Sequence, residues 1–316
     1  MKVLANDGIS DLGVEKLKSS GFEVITTKVA QEQLANYINQ NNVQALLVRS
    51  ATEVRKKLID DCVSLKLIGR GGVGMDNIDV AYAKSKNIHV INTPAASSES
   101  VAELVFAHLF SGVRYLHDSN RNMPLEGDSK FKQLKKSYGG GSELRGKTLG
   151  VIGFGRIGQA TAKIALGVGM EVLFTDNQAE KLNLNLDFYN GKSVQFKLEN
   201  SKIDEVLKKA DFITLHVPAQ KDYIIGKEEF SKMKDGVGLI NASRGGTVDE
   251  VALVDALESG KVSFAGLDVY ESEPNPEIKI LMHPKISLTP HIGAATNEAQ
   301  GRIGLELANQ IIELLK

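Results

Sequence analysis

Thr148-Leu149-Gly150-Val151-Ile152-Gly153-Phe154-Gly155-Arg156-Ile157-Gly158 is a short apolar run that breaks into G-x-G-x-x-G. It then continues into a helical pattern with Ile157, Ala160, Ile164 and Ala165 on one face. That order reads as strand, glycine turn and helix. The first glycine permits a tight turn, the second lets a ligand approach the backbone, and the third lets helix and strand pack closely. The N–H groups at a helix start lack intrahelical partners and lie at the positive end of its dipole. Gly153, Gly155, Arg156, Ile157 and Gly158 are therefore candidates to cradle a pyrophosphate. Asp176 follows Gly158 by eighteen residues, at the end of the next predicted strand. A carboxylate there suits the hydroxyls of an adenosine ribose and repels a 2′-phosphate. No Arg or Lys intervenes before Lys181, so the expected cofactor is NAD rather than NADP.

Working outward, the same alternation of apolar runs and amphipathic stretches recurs on both sides. Toward the C-terminus, strands are expected at 171–175, 211–215, 238–241 and 263–267, with a polar insertion at 182–200 that reads as a hairpin. The last helix, 294–315, has Ile303, Leu307, Ile311 and Leu314 at helical spacing. Toward the N-terminus, Val3-Leu4-Ala5, Val24-Ile25 and Ala45–Val48 read as strands. Ser10 caps a helix ending near Gly21, and another helix lies near 53–60. Leu67-Ile68 leads into the glycine loop Arg70-Gly71-Gly72-Val73-Gly74, and Val90-Ile91 precedes Pro94. A long helix is expected over 98–117. Residues 118–145, with Pro124, several lysines and Gly139-Gly140-Gly141, read as an extended arm or loop. The β-α-β order predicts an α/β fold of two doubly wound parallel-sheet domains with a cleft between them. One is a flavodoxin-like substrate domain, 1–97 plus 291–316, which recovers the last helix; the other is a Rossmann NAD-binding domain, 98–290.

A length of 316 residues suits two cores better than one. Lys and Arg number 38 against 39 Asp and Glu, so nothing in the charge points to nucleic acid or an anionic membrane as partner. The single Cys62 excludes an internal disulfide and a cysteine-based zinc site. The six histidines lack H-x-x-x-H spacing and no G-x-S-x-G element occurs, so neither a metal hydrolase nor a serine acyl-transfer enzyme is expected, and no metal is. No secretory leader or membrane-spanning run is visible, and the expected location is the cytoplasm.

Three charged or titratable residues follow predicted strands of the second series. Arg244 lies in Asn241-Ala242-Ser243-Arg244-Gly245-Gly246, Glu273 in Leu267-Asp268-Val269-Tyr270-Glu271-Ser272-Glu273-Pro274, and His291 in Thr289-Pro290-His291-Ile292-Gly293. Open α/β sheets bind ligands beyond the carboxyl ends of their strands. Removing hydride from the carbon of a 2-hydroxy acid needs a base for the hydroxyl proton. Histidine titrates nearest neutrality, and a neighbouring glutamate favours imidazolium and holds the ring. Arginine takes a carboxylate bidentately.

These segments resemble the signature motifs of the D-isomer-specific 2-hydroxyacid dehydrogenase family, and the resemblance runs over essentially the whole chain. It implies that Arg244 binds the substrate carboxylate and that Glu273 supports His291 as the catalytic acid–base. It also implies that Asp268 lies near the nicotinamide amide, with Val217, Pro218, Ala242, Ser243 and Gly293 against the cofactor. A small anionic 2-hydroxy or 2-oxo acid as partner and a homodimer built on the arm and long helix follow from the same likeness.

Within the family, Leu47–Thr52 and Gly69–Asn77 resemble the first-domain loops of the branch acting on 3-phosphoglycerate, in the short form without a C-terminal regulatory domain. Arg49, Ser50, Gly72 and Val73 are thereby implied in substrate binding, and Val73 in touching the cofactor as well. Lys130, Lys132, Lys135 and Lys136 are basic arm residues of the kind relatives place near phosphate. Ser97 stands where many relatives have Asn, and the arm has no Trp. A glyoxylate or hydroxypyruvate reductase would use the same three catalytic residues. A sensor of NAD would bind NADH yet turn over little 2-oxo acid.

Overall fold

Short apolar strands alternating with amphipathic helices build two separate parallel sheets in the computed structural model, which describes residues 1–316. The chain divides into Met1–Ser100 with Ala294–Lys316, and Val101–Gly293. Both junctions fall a few residues beyond the expected ones.

The first unit runs β1 (Lys2–Ala5), α1 (Asp11–Ser19), β2 (Glu23–Ile25), α2 (Leu34–Asn41), β3 (Ala45–Val48), α3 (Lys56–Asp61), β4 (Leu67–Arg70), α4 (Val80–Ser85) and β5 (His89–Asn92). All strands are parallel in the order β2-β1-β3-β4-β5, the flavodoxin-like arrangement. Successive strand side chains point to opposite faces. Leu4, Leu46 and Ile68 accordingly enter one core with Leu34 and Ile38, whereas Val3, Leu47 and Leu67 enter another with Ile303, Leu307 and Ile311 of the C-terminal helix. Ser10 caps α1 by accepting the Gly13 N–H at 3.4 Å.

α5 (Ser98–Val113) starts three residues before the second unit and runs into it, followed by α6 (Leu116–Glu126) and α7 (Phe131–Ser137). The unit continues with β6 (Thr148–Ile152), α8 (Arg156–Gly167), β7 (Glu171–Thr175), β8 (Lys181–Asp187), β9 (Ser193–Glu199), α9 (Ile203–Lys209) and β10 (Phe212–Leu215). Then come α10 (Lys227–Lys232), β11 (Val237–Asn241), α11 (Glu250–Glu258), β12 (Val262–Leu267), α12 (Ile278–Leu281) and β13 (Ile286–Leu288). The last helix, α13 (Asn297–Leu315), belongs to the first unit. The six-stranded sheet is parallel in the order β13-β12-β11-β10-β6-β7, and β8 and β9 form the separate antiparallel hairpin expected at 182–200.

Two expectations are corrected here. The helix expected over 98–117 stops at Val113, Tyr115 takes a left-handed conformation with φ 54°, and Ser111 Oγ accepts the His117 N–H at 3.2 Å as α6 begins. The arm is helical rather than extended, and Pro124 lies inside α6. Tertiary bonds outweigh the local breaker: Tyr138 donates to Asp118 Oδ2 at 2.8 Å and receives Asn122 Nδ2 at 2.9 Å, tying α7 to α6.

Register positions the site. Ile152 pairs with Thr175 and Leu215, Leu215 with Asn241, Asn241 with Leu267, and Leu267 with Leu288. These residues form one level across the sheet, so the loops that begin at Gly153, Asp176, Ala242, Asp268 and Thr289 leave along a single edge. The chain goes from β6 to β7 on one side and later to β10 on the other, which makes the gap between β6 and β10 the topological switch point.

Candidate active site

The glycine turn opens at that switch point. Gly153 has φ 89°, and a side chain there would strike the His216 carbonyl; one at Gly158 would strike the Gly153 carbonyl. Gly155, between them, has no atom within 4 Å of where a side chain would begin. The turn thus leaves open space beside the first N–H groups of α8, a fit for a pyrophosphate. Arg156 is exposed there and Ile157 half-buried. Asp176, just beyond β7, accepts the Phe154 N–H on Oδ2 at 2.7 Å and the Gln178 N–H on Oδ1 at 2.7 Å. The acidic group is therefore bonded to the glycine turn itself. Val217 and Pro218 follow β10 on the same edge.

Asn241 ends β11 and is buried, so its amide must find partners inside the protein. Nδ2 donates to the Arg244 carbonyl at 3.0 Å and to Thr247 Oγ1 at 3.1 Å, while Oδ1 accepts from Ser243 N and Oγ. The turn bearing Ala242, Ser243 and Arg244 is folded around one side chain. Arg244 Nη1 donates to the Ser243 carbonyl at 2.6 Å. Any side chain at Gly245 would collide with the Tyr270 carbonyl, so this turn lies directly against the loop that carries Glu273.

Asp268 is 1% exposed and accepts three bonds: Thr289 Oγ1 at 2.6 Å, Ile292 N–H at 2.8 Å and Gly293 N–H at 2.8 Å. Both amides after His291 are thereby fastened to one carboxylate. Behind Thr289 stands His108 of α5, with Nε2 3.0 Å from Thr289 Oγ1 and Nδ1 2.9 Å from Ser287 Oγ. Because the Thr289 hydroxyl donates to Asp268, it accepts from His108 Nε2–H, and burial pushes the His108 imidazole below its ordinary value.

Glu273 accepts the Tyr270 N–H on Oε1 at 3.0 Å and faces His291 Nδ1 with Oε2 at 2.8 Å. Burial alone would raise its carboxyl. The bonds from His291 and Tyr270, with the charges of His291 and Arg244, outweigh that and hold it below the ordinary carboxylate value. An ionised carboxylate can only accept, so Nδ1 carries the hydrogen and Nε2 is left as the nitrogen that can exchange a proton with a ligand. Glu271 and Glu250 brace this loop reciprocally, each carboxylate taking the other's backbone N–H at 2.9 and 2.8 Å.

The second unit thus gathers Gly153, Gly155, Gly158, Asp176, Arg244, Asp268, Glu273, His291 and Gly293 at one sheet edge. Arg49, Ser50, Gly72 and Val73 belong to the first unit. There Arg49 donates its N–H to Asp7 Oδ2 at 2.7 Å, its carbonyl receives Asn77 Nδ2 at 2.7 Å, and Asn92 Nδ2 donates to the Val73 carbonyl at 2.7 Å. Sequence reasoning missed Asn241, Thr289 and His108. The available signal was a polar residue inside an apolar stretch, which needs an internal partner.

Residues 106–293 match the family described as D-isomer specific 2-hydroxyacid dehydrogenase, NAD binding domain, over more than half of the chain. The chain belongs to this family. It is 41% identical to a hydroxypyruvate reductase of Thermotoga maritima over 99% of this chain and 98% of that one. A D-3-phosphoglycerate dehydrogenase of Bacillus subtilis is 38% identical over 100% of this chain, which spans only 57% of that longer relative. Among solved structures, a glyoxylate reductase from Paecilomyes thermophila superposes with a TM-score of 0.82 at 30% identity, covering 99% of this chain and 95% of that one. This member of the 2-hydroxyacid dehydrogenase family therefore uses NAD. No helix in it is long and apolar enough to cross a membrane.

Proposed function

We propose that this dehydrogenase oxidises 3-phosphoglycerate to 3-phosphohydroxypyruvate, the entry to serine synthesis, at a centre formed by Arg244, Glu273 and His291. The observation that carries the chemistry is the 2.8 Å bond between His291 Nδ1 and Glu273, which leaves Nε2 for the substrate. Arg244 pairs with the substrate carboxylate and sets the hydroxyl-bearing carbon. His291 Nε2 takes the hydroxyl proton and becomes imidazolium, which Glu273 stabilises; in reduction it returns the proton to the carbonyl oxygen. Bound NAD supplies the hydride acceptor. The 153–158 turn would hold its pyrophosphate and Asp176 its adenosine ribose. Val73, Val217, Pro218, Ala242, Ser243, Asp268 and Gly293 would line the remainder.

Support for a phosphorylated substrate comes from Arg49. Its backbone is fixed by Asp7 and Asn77, yet its guanidinium has no carboxylate partner. We assign Arg49, with Ser50, Gly72 and Val73, to the substrate's phosphate end. A second reading, reduction of hydroxypyruvate or glyoxylate, is favoured by the Thermotoga relative, which matches this chain end to end. NADH-linked turnover of phosphorylated and unphosphorylated acids separates them. Arg49→Ala should lose about 2–5 kcal/mol of transition-state binding for 3-phosphoglycerate, far more than for glyoxylate. Equal losses on all substrates would remove Arg49 from phosphate recognition, and wild-type preference for an unphosphorylated acid would install the reductase. The same reading includes a homodimer built on α5–α7, supported by the exposed apolar residues of that segment.

A further inference from the structure

The β8–β9 hairpin has no part in the chemistry above, yet it ends at the residue that touches Asp176. β7 is the outer strand of its sheet, and Asp176 lies one residue beyond it. An edge strand leaves a row of N–H and C=O groups without strand partners. Along this edge the chain returns from the hairpin and meets β7 at one point only. Asn200 forms a lone parallel bridge with Phe174, and Ser201 N–H donates to the Phe174 carbonyl at 2.9 Å. In doubly wound sheets of order 3-2-1-4-5-6 a whole third strand occupies this place. Here a single residue stands for it, and its side chain replaces the missing rungs. Asn200 Oδ1 accepts the Asp176 N–H at 3.0 Å, and Nδ2 donates to the Asp176 carbonyl at 2.7 Å. A primary amide offers the same donor and acceptor as a peptide group, so both backbone polar groups of Asp176 are held.

We propose that Asn200 is a positioning residue for cofactor selection: it clamps the backbone of Asp176 so that the carboxylate meets the adenosine ribose in a fixed pose. The inference rests on the assignment of Asp176 to the ribose. The carboxylate spends one contact per oxygen on Phe154 and Gln178, and its remaining lone pairs are aimed by the backbone beneath them. Asn200 is itself held rigidly. Leu184 is buried in the core that contains Phe154 and Phe174, whose rings stack at 4.0 Å, and Leu182 and Leu198 pack on it. Asn200 N–H donates to the Glu180 carbonyl at 2.8 Å, and Lys181 pairs with Glu199 at 2.9 Å, closing the base of the hairpin. The hairpin is thus the frame that carries the clamp.

The test compares Asn200→Ala, Asn200→Asp and Asp176→Ala by titration with NADH, NADPH and ADP-ribose, alongside steady-state kinetics. A ribose acceptor that must be ordered at each binding event loses part of its contact energy, so Asn200→Ala should raise the Kd for NADH and ADP-ribose about three- to tenfold. The NADH-to-NADPH preference should narrow, and KM for NAD should rise while kcat at saturation holds. Asn200→Asp keeps the acceptor for the Asp176 N–H but sets an oxygen against its carbonyl, so it should lose at least as much. If Asp176→Ala weakens NADH and Asn200→Ala does not, the clamp is overturned while the ribose assignment survives. An equal loss for NADH and NADPH together with a lowered Tm overturns it too, since that pattern belongs to a merely structural residue. Unchanged affinities in Asp176→Ala would overturn the ribose assignment itself and the clamp with it.

Discussion

His291 adopts φ 55°, a left-handed conformation uncommon outside glycine although Asn, Asp and His take it more readily than other residues, and the residues around it account for its persistence. Asp268 fastens the two amides that follow, and Glu273 takes the ring from the other side. Such over-determined backbone is found where a side chain must be aimed. His291→Ala should therefore lower kcat by about 10²–10⁴-fold, as loss of a general acid–base does, with NADH affinity near that of the wild type. Near-normal turnover by a folded variant would end the assignment. Glu273→Gln tests the partner through pH. The carboxyl sits below its ordinary value, so it stays ionised until the medium is acidic and sets a negative charge 2.8 Å from Nδ1. Removing that charge disfavours imidazolium. The acid limb of kcat/KM for oxidation and the alkaline limb for reduction should both move to lower pH; a profile that stays in place would mean the two side chains are uncoupled in the working enzyme.

Among the elements, the crossing of α1 and α13 shows how closely backbone can be required to pack. A side chain at Gly304 would strike Ser10 Oγ, and one at Gly13 would come 2.7 Å from Ile9 Cδ1 and 2.8 Å from the Gly304 carbonyl. Glycine inside a helix is intrinsically costly, so two at one crossing mark contact rather than propensity. Gly304→Val should destabilise by about 1–3 kcal/mol through overpacking and disturbance of the Ser10 cap. A melting temperature within error of the wild type would show that the helices can move apart freely. The Ser10 cap, the 303–311 stripe, the glycine turn and the 182–200 hairpin were legible in the sequence because each is a local pattern. The helical arm was not, since Asp118, Asn122 and Tyr138 outvote Pro124 only after folding brings them together. β13, three residues long, was too short for any periodicity to register. At the site, Arg244, Glu273 and His291 were candidates as charged or titratable residues after apolar runs, and the likeness of their segments to the family's motifs singled them out. Thr289 and His108 did not stand out, because their partners lie far along the chain, and Asn241 did not, because its local bonds to Ser243, Arg244 and Thr247 form only once the turn is folded.

For the whole molecule, a formal charge of −1 gives no strong field to keep copies apart, so association is decided by the apolar surface left uncovered. Part of that surface lies on consecutive elements: Phe110 of α5 is 45% exposed, Leu116 and Leu125 of α6 are 60% and 77%, and Phe131 of α7 is 57%. Scattered exposed leucines are ordinary on any protein, but several on one short stretch of chain are the surface on which the proposed homodimer would be built. In a two-fold contact each such residue is buried twice, once per copy. Taking a fully exposed side chain of this kind to full burial contributes about 1.5–3 kcal/mol, and a part-exposed one contributes in proportion to the surface it still shows. Light scattering at micromolar concentration should therefore return twice the 34.2 kDa chain mass. Leu116→Asp combined with Leu125→Asp should bring the mass down to one chain with the far-ultraviolet circular dichroism retained, because charges within the face would have to be desolvated unpaired. A wild-type mass of one chain at that concentration would remove the dimer, and a double variant that still associates would move the interface away from α6.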